Sequence, residues 1–168
     1  MRLLLVVLLF TFSSTSFAHL QPQTLKHSVS VQMGLNGAMS NISSFGFQAF
    51  PPDLSYAYKL FDNNRYALST STFYDNIGVN TDNINFDYRL GQRLDFGYEL
   101  SHGIVYGTVG LAHMFIQGAP NALSCIYGFG ITREISSQWS LVSELNFQDI
   151  NKYNIVNLSV GIIYAFNI

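Results

Sequence analysis

The sequence predicts an all-β fold, an eight-stranded antiparallel up-and-down transmembrane β-barrel, and three observations carry that prediction. The first is the final stretch. From Val156 to Ile168 every second residue is large and apolar (Val156, Leu158, Val160, Ile162, Tyr164, Phe166, Ile168), and mostly small or polar residues stand between them. A period of two makes a strand with one oily face and one polar face. The second is the number of such alternating segments, eight, which is even. The third is composition: 11% charged and 15% aromatic residues, with no spanning apolar run behind the N-terminal segment. Alternating membrane strands produce that combination.

The chain opens with a processing segment. Arg2 supplies a positive start, Leu3 to Phe12 is apolar except for Thr11, and Ser16-Phe17-Ala18 ends in a small-x-small pattern. The apolar run is far short of the roughly 20 residues of a spanning helix. Residues 1–18 are therefore expected to be a signal peptide cut between Ala18 and His19, leaving 19–168 as one barrel domain.

Val29, Val31, Met33 and Leu35 mark the first strand. Ala38–Asp53 contains Phe45-Gly46-Phe47 but also Pro51-Pro52, a strand breaker, and reads as the first external loop. Leu54–Phe61 and Tyr66–Tyr74 are the second and third strands, joined by Asp62-Asn63-Asn64, and Asp75–Asp82 is the second external loop. The fourth strand is the clearest. Ile84, Phe86, Tyr88, Leu90, Leu94, Phe96, Tyr98 and Leu100 alternate with Asn85, Asp87, Arg89, Gly91, Arg93, Asp95, Gly97 and Glu99. It exceeds the roughly 9–11 residues that cross a bilayer, so part should project into solvent.

Ser101-His102-Gly103 forms a tight turn into a fifth strand, Ile104 to His113, followed by a third external loop, Met114–Ala122. The sixth strand puts Leu123, Cys125, Tyr127, Phe129 and Ile131 outward. Ser136-Ser137-Gln138 turns the chain into the seventh, which starts at Trp139. A last loop, Asp149–Asn154, leads to the eighth. Short connections after strands two, four and six alternate with longer ones after one, three, five and seven, as periplasmic turns and external loops do.

The charges decide which face meets lipid. The outward positions carry no Asp, Glu, Lys or Arg; the charges within strands lie on the opposite face. A soluble barrel would bury that charged face and expose the aromatics, which is costly. The eight-stranded interior is just wide enough for side chains. Lys59, Asp87, Arg89, Arg93, Asp95, Glu99 and Glu144 are thus expected to form an internal charge network, with inward glycines making room.

Tyr106-Gly107-Thr108-Val109-Gly110-Leu111-Ala112, Tyr127-Gly128-Phe129-Gly130 through Trp139-Ser140, and Glu144 with Phe147-Gln148-Asp149 resemble the small porin-like outer-membrane β-barrel family, which includes surface antigens and opacity-type proteins. Ser159, Gly161, Tyr164 and Phe166 resemble its C-terminal polar-x-Gly-x-x-aromatic-x-aromatic assembly signal. Here Asn167-Ile168 extends two residues further, and the alternation continues through them. The resemblance implies a Gram-negative outer membrane, contact with its lipid and lipopolysaccharide, and recognition by the barrel-assembly machinery. It is specific for architecture and weak for activity.

Other chemistries find little footing. Removing Arg2 leaves seven Lys+Arg against ten Asp+Glu, and no basic stripe exists, so nucleic acid is not an expected partner. Cys125 is alone and forms no intrachain disulfide. His19, His27, His102 and His113 show no metal-ligand spacing, and the seventh strand lacks the His-x-Ser pair of a lipid A deacylase. No cofactor and no enzymatic activity are expected. The expected role is envelope structure or surface binding and adhesion through external loops that meet a host or surface ligand. The alternatives are a porin-like transporter of small or hydrophobic solutes and, behind it, a lipid A-modifying enzyme.

Overall fold

The computed structural model describes residues 25–40, 45–63, 65–81 and 84–167. The expected signal segment and its cleavage site at Ala18 and His19 lie outside them. Eight strands run β1 His27–Ser40, β2 Phe45–Asp62, β3 Tyr66–Thr81, β4 Ile84–Leu100, β5 Gly103–Gln117, β6 Ala122–Glu134, β7 Trp139–Ile150 and β8 Tyr153–Phe166. Each pairs antiparallel with its sequence neighbours, and β1 pairs with β8 to close the barrel. Closure removes the edges that a lone sheet would leave unpaired.

One row of paired residues shows the geometry. It leaves β6 at Arg133 and passes through Leu141, Ile162, Val31, Leu54, Tyr74, Leu90 and His113 before returning to β6 at Leu123. The path comes back about ten residues from its start, a stagger that tilts the strands by about 40°. Paired residues share a face, and the expected outward sets on β1, β5, β6, β7 and β8 do point outward. Val109 is 58% exposed and Phe129 57%.

Two aromatic girdles rim this outer surface. At the end where β1 begins and β8 finishes (the terminal end below), Trp139 lies 4.8 Å from Tyr164, and Tyr66 lies 5.5 Å from Tyr98. His27 joins this girdle, 5.1 Å from Tyr58 and 5.7 Å from Phe166. At the far end Tyr88 stands between Tyr74 and Phe115, at 5.6 and 4.3 Å, and Tyr127 stacks on Phe147. Tyr88 and Tyr98 are roughly ten residues apart on β4, hence about 25 Å along the tilted axis. A transmembrane barrel needs an apolar band of that height. Arg133 and Asp149 occupy outward register positions, each near a strand end.

The far end departs from the sequence expectation. Ala38–Asp53, Asp75–Asp82 and Met114–Ala122 are largely strand, because β1, β2, β3 and β5 run on past the girdle. The connections there shrink to 41–44, 82–83, 118–121 and 151–152, so short and long connections do not alternate. Asn151, at φ 53°, makes the last of these a two-residue turn between β7 and β8. Pro51-Pro52 does not break β2: the β1 register shifts between Met33 and Leu35, leaving Phe50 and Pro51 in the irregularity, while Phe45–Ala49 and Pro52 pair with β1 and none of Phe45–Pro52 pairs with β3. A proline there owes no N–H to a second neighbour.

A second irregularity, between Phe86 and Tyr88 against β5, reverses the parity of β4. Phe86, expected outward, is fully buried inside. With Ala38, Ile77, Val79, Met114, Ile150, Tyr153 and Ile155 it builds an apolar core under the far end. The interior is therefore not polar throughout.

Two seams explain this core. The β2–β3 ladder stops at Asp53–Asp75 and the β6–β7 ladder at Ile126–Gln148, although all four strands continue. Four strands lie on each side, so the far end splits into two halves, β7-β8-β1-β2 and β3-β4-β5-β6, facing one another across the apolar core.

Leu94 stands about midway between the girdles and is 47% exposed. Leu94→Arg should cost ~2–4 kcal/mol when folding is followed by urea titration in lipid vesicles. Ser140→Arg, at a position lining the terminal mouth of the interior, should cost far less.

Candidate functional site in the barrel interior

Inward alternation stacks polar side chains in layers. Nearest the terminal end, Arg93 on β4 meets Glu144 on β7 across the lumen. Its Nη1 and Nη2 donate to Oε2 at 3.0 Å and Oε1 at 2.6 Å, a two-pronged contact that a guanidinium is shaped to make. Arg93 Nε donates to Ser71 Oγ at 3.0 Å and lies 3.2 Å from Asp95 Oδ1. Tyr106 Oη and Asn146 Nδ2 donate to the same Glu144 carboxylate. Both partners are buried, Arg93 at 7% and Glu144 at 5% exposure.

The next layer centres on Arg89, fully buried, whose Nε donates to Asp75 Oδ2 at 2.7 Å and Nη1 to Gln148 Oε1 at 3.3 Å. Phe73 lies between the layers, its ring 5.8 Å from the Arg89 guanidinium and 5.5 Å from that of Arg93. Gly91 leaves the room: a Cβ there would come within 2.5 Å of Phe73 Cζ.

A third layer seals the β2–β3 seam. Asn36 Nδ2 donates to the Asn76 and Ile77 carbonyls, and Asp53 Oδ1 accepts from the Asn76 N–H. Asn157 Nδ2 donates to both Asn36 Oδ1 and Asp53 Oδ2. Side chains here replace the missing ladder bonds. At the other seam Gln148 Nε2 donates to Ser124 Oγ at 2.9 Å and to the Ala112 carbonyl.

The expected charge set divides. Arg89, Arg93, Asp95 and Glu144 meet in the interior. Lys59 instead pairs with Asp62, at 2.6 Å, near the terminal mouth, which Glu99 also lines. Asp87 stands at the β4 irregularity and accepts from Gln117 Nε2 in an exposed position, so it is not part of the network. Asp53 and Asp75 also belong to the network, although the sequence pattern places both in loops. Their parity with Phe73 and Ser55 was the available signal. Tyr106, Asn36, Asn157 and Gln148 also belong to it, and carry no formal charge that would mark them in the sequence.

Of the residues expected to form a C-terminal assembly signal, Ser159 points inward and donates to Gln32 Oε1 at 2.7 Å. Gly161 faces Gln32, and Tyr164 and Phe166 join the terminal girdle. β8 ends at Phe166; Asn167 does not extend the alternation, and its Oδ1 accepts from the Lys26 N–H at 2.9 Å. His113 packs outward against Phe115 at 4.8 Å, and His102 lies in the β4–β5 turn.

A cavity of about 640 Å³ opens at the terminal end and reaches Arg93, Tyr106 and Glu144; Arg89, Asp75 and Asn36 do not line it. The interior is thus a polar vestibule, an ion-paired floor and an apolar cap in series.

Removing one member of such a buried pair strands the other charge, at ~3–5 kcal/mol. Glu144→Ala should lose stability on that scale in urea titrations. The double variant Arg93→Met, Glu144→Leu should recover most of the loss. Gly130→Ala places a methyl 2.5 Å from Tyr106 Cζ and Oη and should displace that ring from Glu144. Its mark would be a destabilisation that largely disappears when Tyr106 is already Ala.

No family model matches the chain, and no curated protein sequence matches it. Solved structures do. Ail, the attachment invasion locus protein of Yersinia pestis, is 14% identical over 84% of this chain and 100% of its own, with a TM-score of 0.58. Neisserial surface protein A is 15% identical over 83% and 97%, with a TM-score of 0.57. The outer membrane protein OprG of Pseudomonas aeruginosa is 8% identical over 89% and 100%, at 0.51. At such identities the likeness concerns the fold. The chain has the fold of the small eight-stranded outer-membrane β-barrels.

Proposed function

We propose that the protein is a non-enzymatic integral barrel of a Gram-negative outer membrane, with a closed interior. It serves envelope structure and meets surface ligands through the end opposite its termini. One observation carries the reading. An apolar band rimmed by two aromatic girdles surrounds an interior whose charges are paired across the lumen. Lipid is the solvent for which that arrangement is stable. Its partners are then outer-membrane lipid, lipopolysaccharide and the barrel-assembly machinery, which would read Ser159, Gly161, Tyr164 and Phe166.

The surface-binding part draws on the neighbours. Ail has been crystallised with the heparin analogue sucrose octasulfate. This chain's far-end connections carry one cation, Lys152, so a polyanion is a poor match for it. Met39 and Phe47, 52% and 56% exposed beside the β1–β2 connection, favour an apolar contact instead.

The second reading, a transporter, is favoured by the 640 Å³ vestibule, which is half of a path. Planar-bilayer recording separates the two. Purified protein should give no steady conductance, and Arg93→Ala with Glu144→Ala should introduce brief openings. A steady conductance from the unmodified protein, altered by changes at Arg89 or Arg93, would establish the transporter. Unchanged lipid A acylation by mass spectrometry, with and without the protein, is the expected result for a non-enzyme.

A further inference from the structure

The two seams are sealed differently. Between β2 and β3, Asn36 and Asp53 bond the β3 backbone, Gly46 lies against the Asn80 carbonyl, and Gly78 lies against Gln48. Between β6 and β7 the bridging contacts sit at the base of the seam: Gln148 to Ser124 inside and Tyr127 Oη to Asp149 Oδ2 outside, at 3.3 Å. Above them β6 continues to Ala122 and β7 to Ile150, and between their tips lies a cavity of about 250 Å³.

Its walls are mostly apolar, with Asn121 and Asn151 contributing polar groups at the strand tips. Phe86 and Tyr153 form the floor, where the cavity meets the core, and Ile116, Ala122 and Ile150 form the sides. The outer lip is Leu123, 66% exposed. Leu123 pairs with His113, whose ring packs on Phe115 of the far girdle. The cavity is therefore continuous with the lipid-facing surface at interfacial depth. Its volume equals that of about eight water molecules, and about as many methylenes.

We propose that this β6–β7 cleft holds a single acyl chain of a lipid from the surrounding bilayer, entering sideways past Leu123. Three features select this occupant. Exposed Leu123 brings the cleft to the outward face, the lining is aliphatic and aromatic except for Asn121 and Asn151, and the cleft takes a short chain segment, too little for a folded partner. An acyl chain seated there covers apolar wall that would otherwise meet water at the interface. The inference rests on the membrane reading above.

Native mass spectrometry of protein released from dimyristoylphosphatidylglycerol vesicles tests it. The unmodified protein should retain one lipid. Ala122→Phe, which fills the cleft, should reduce retention at least tenfold, and Ala119→Trp at the cleft's rim provides a second variant should the first misfold. Mobility in SDS with and without boiling shows which variants are folded barrels. Equal retention by folded filled variants and the unmodified protein would overturn the proposal. So would retention of added free dodecanoic acid but no phospholipid, which would make the occupant a soluble amphiphile. A protein that shows no mobility shift at all would instead overturn the membrane reading.

Discussion

A backbone in lipid has no water to bond, so every N–H and C=O within the apolar band must find a partner inside the protein. Under the membrane reading, that constraint organises the molecule. It demands a closed sheet, which the β1–β8 pairing from His27–Phe166 to Ser40–Tyr153 completes. It also explains where the sheet is allowed to come apart. Both seams open toward the far girdle, and at each base side chains take over: Asn36 and Asp53 at one, Gln148 at the other.

Closure with eight strands leaves a lumen that side chains must fill. The polar filling, bound into continuous layers by Arg93–Glu144 and Arg89–Asp75, sits where the strands are fully laddered. Where the ladders part, the filling turns apolar. Two half-sheets facing each other without ladder bonds at their margins are held by what lies between them, and Phe86, Ile77, Met114 and Ile155 supply it. The same chain is a laddered barrel below and a small sandwich above.

What could be read from sequence followed period two. The eighth strand, the outward faces of β5 to β8 and the pairing of Arg93 with carboxylates were legible because alternation in these stretches is unbroken. Legibility failed at irregularities. The extra residue at Asp87 puts Phe86 inside, and Pro51-Pro52 looks like a terminator but rides in a strand that lacks a neighbour on one side. A period-two reading cannot place a bulge, since the residues flanking it look the same either way. Much of the length expected as external loop is strand, because β1, β2, β3 and β5 run on past the girdle.

The central claim is that the aromatic-rimmed outer surface faces lipid. The chain has a single tryptophan, Trp139, in the terminal girdle beside Tyr164 and 44% exposed. Its fluorescence in vesicles containing brominated phospholipid reports directly on that surface. Strong quenching by bromine placed near the interface, with little effect from aqueous iodide, is the predicted result. Quenching by iodide with no response to brominated lipid would place this surface in water and contradict the account.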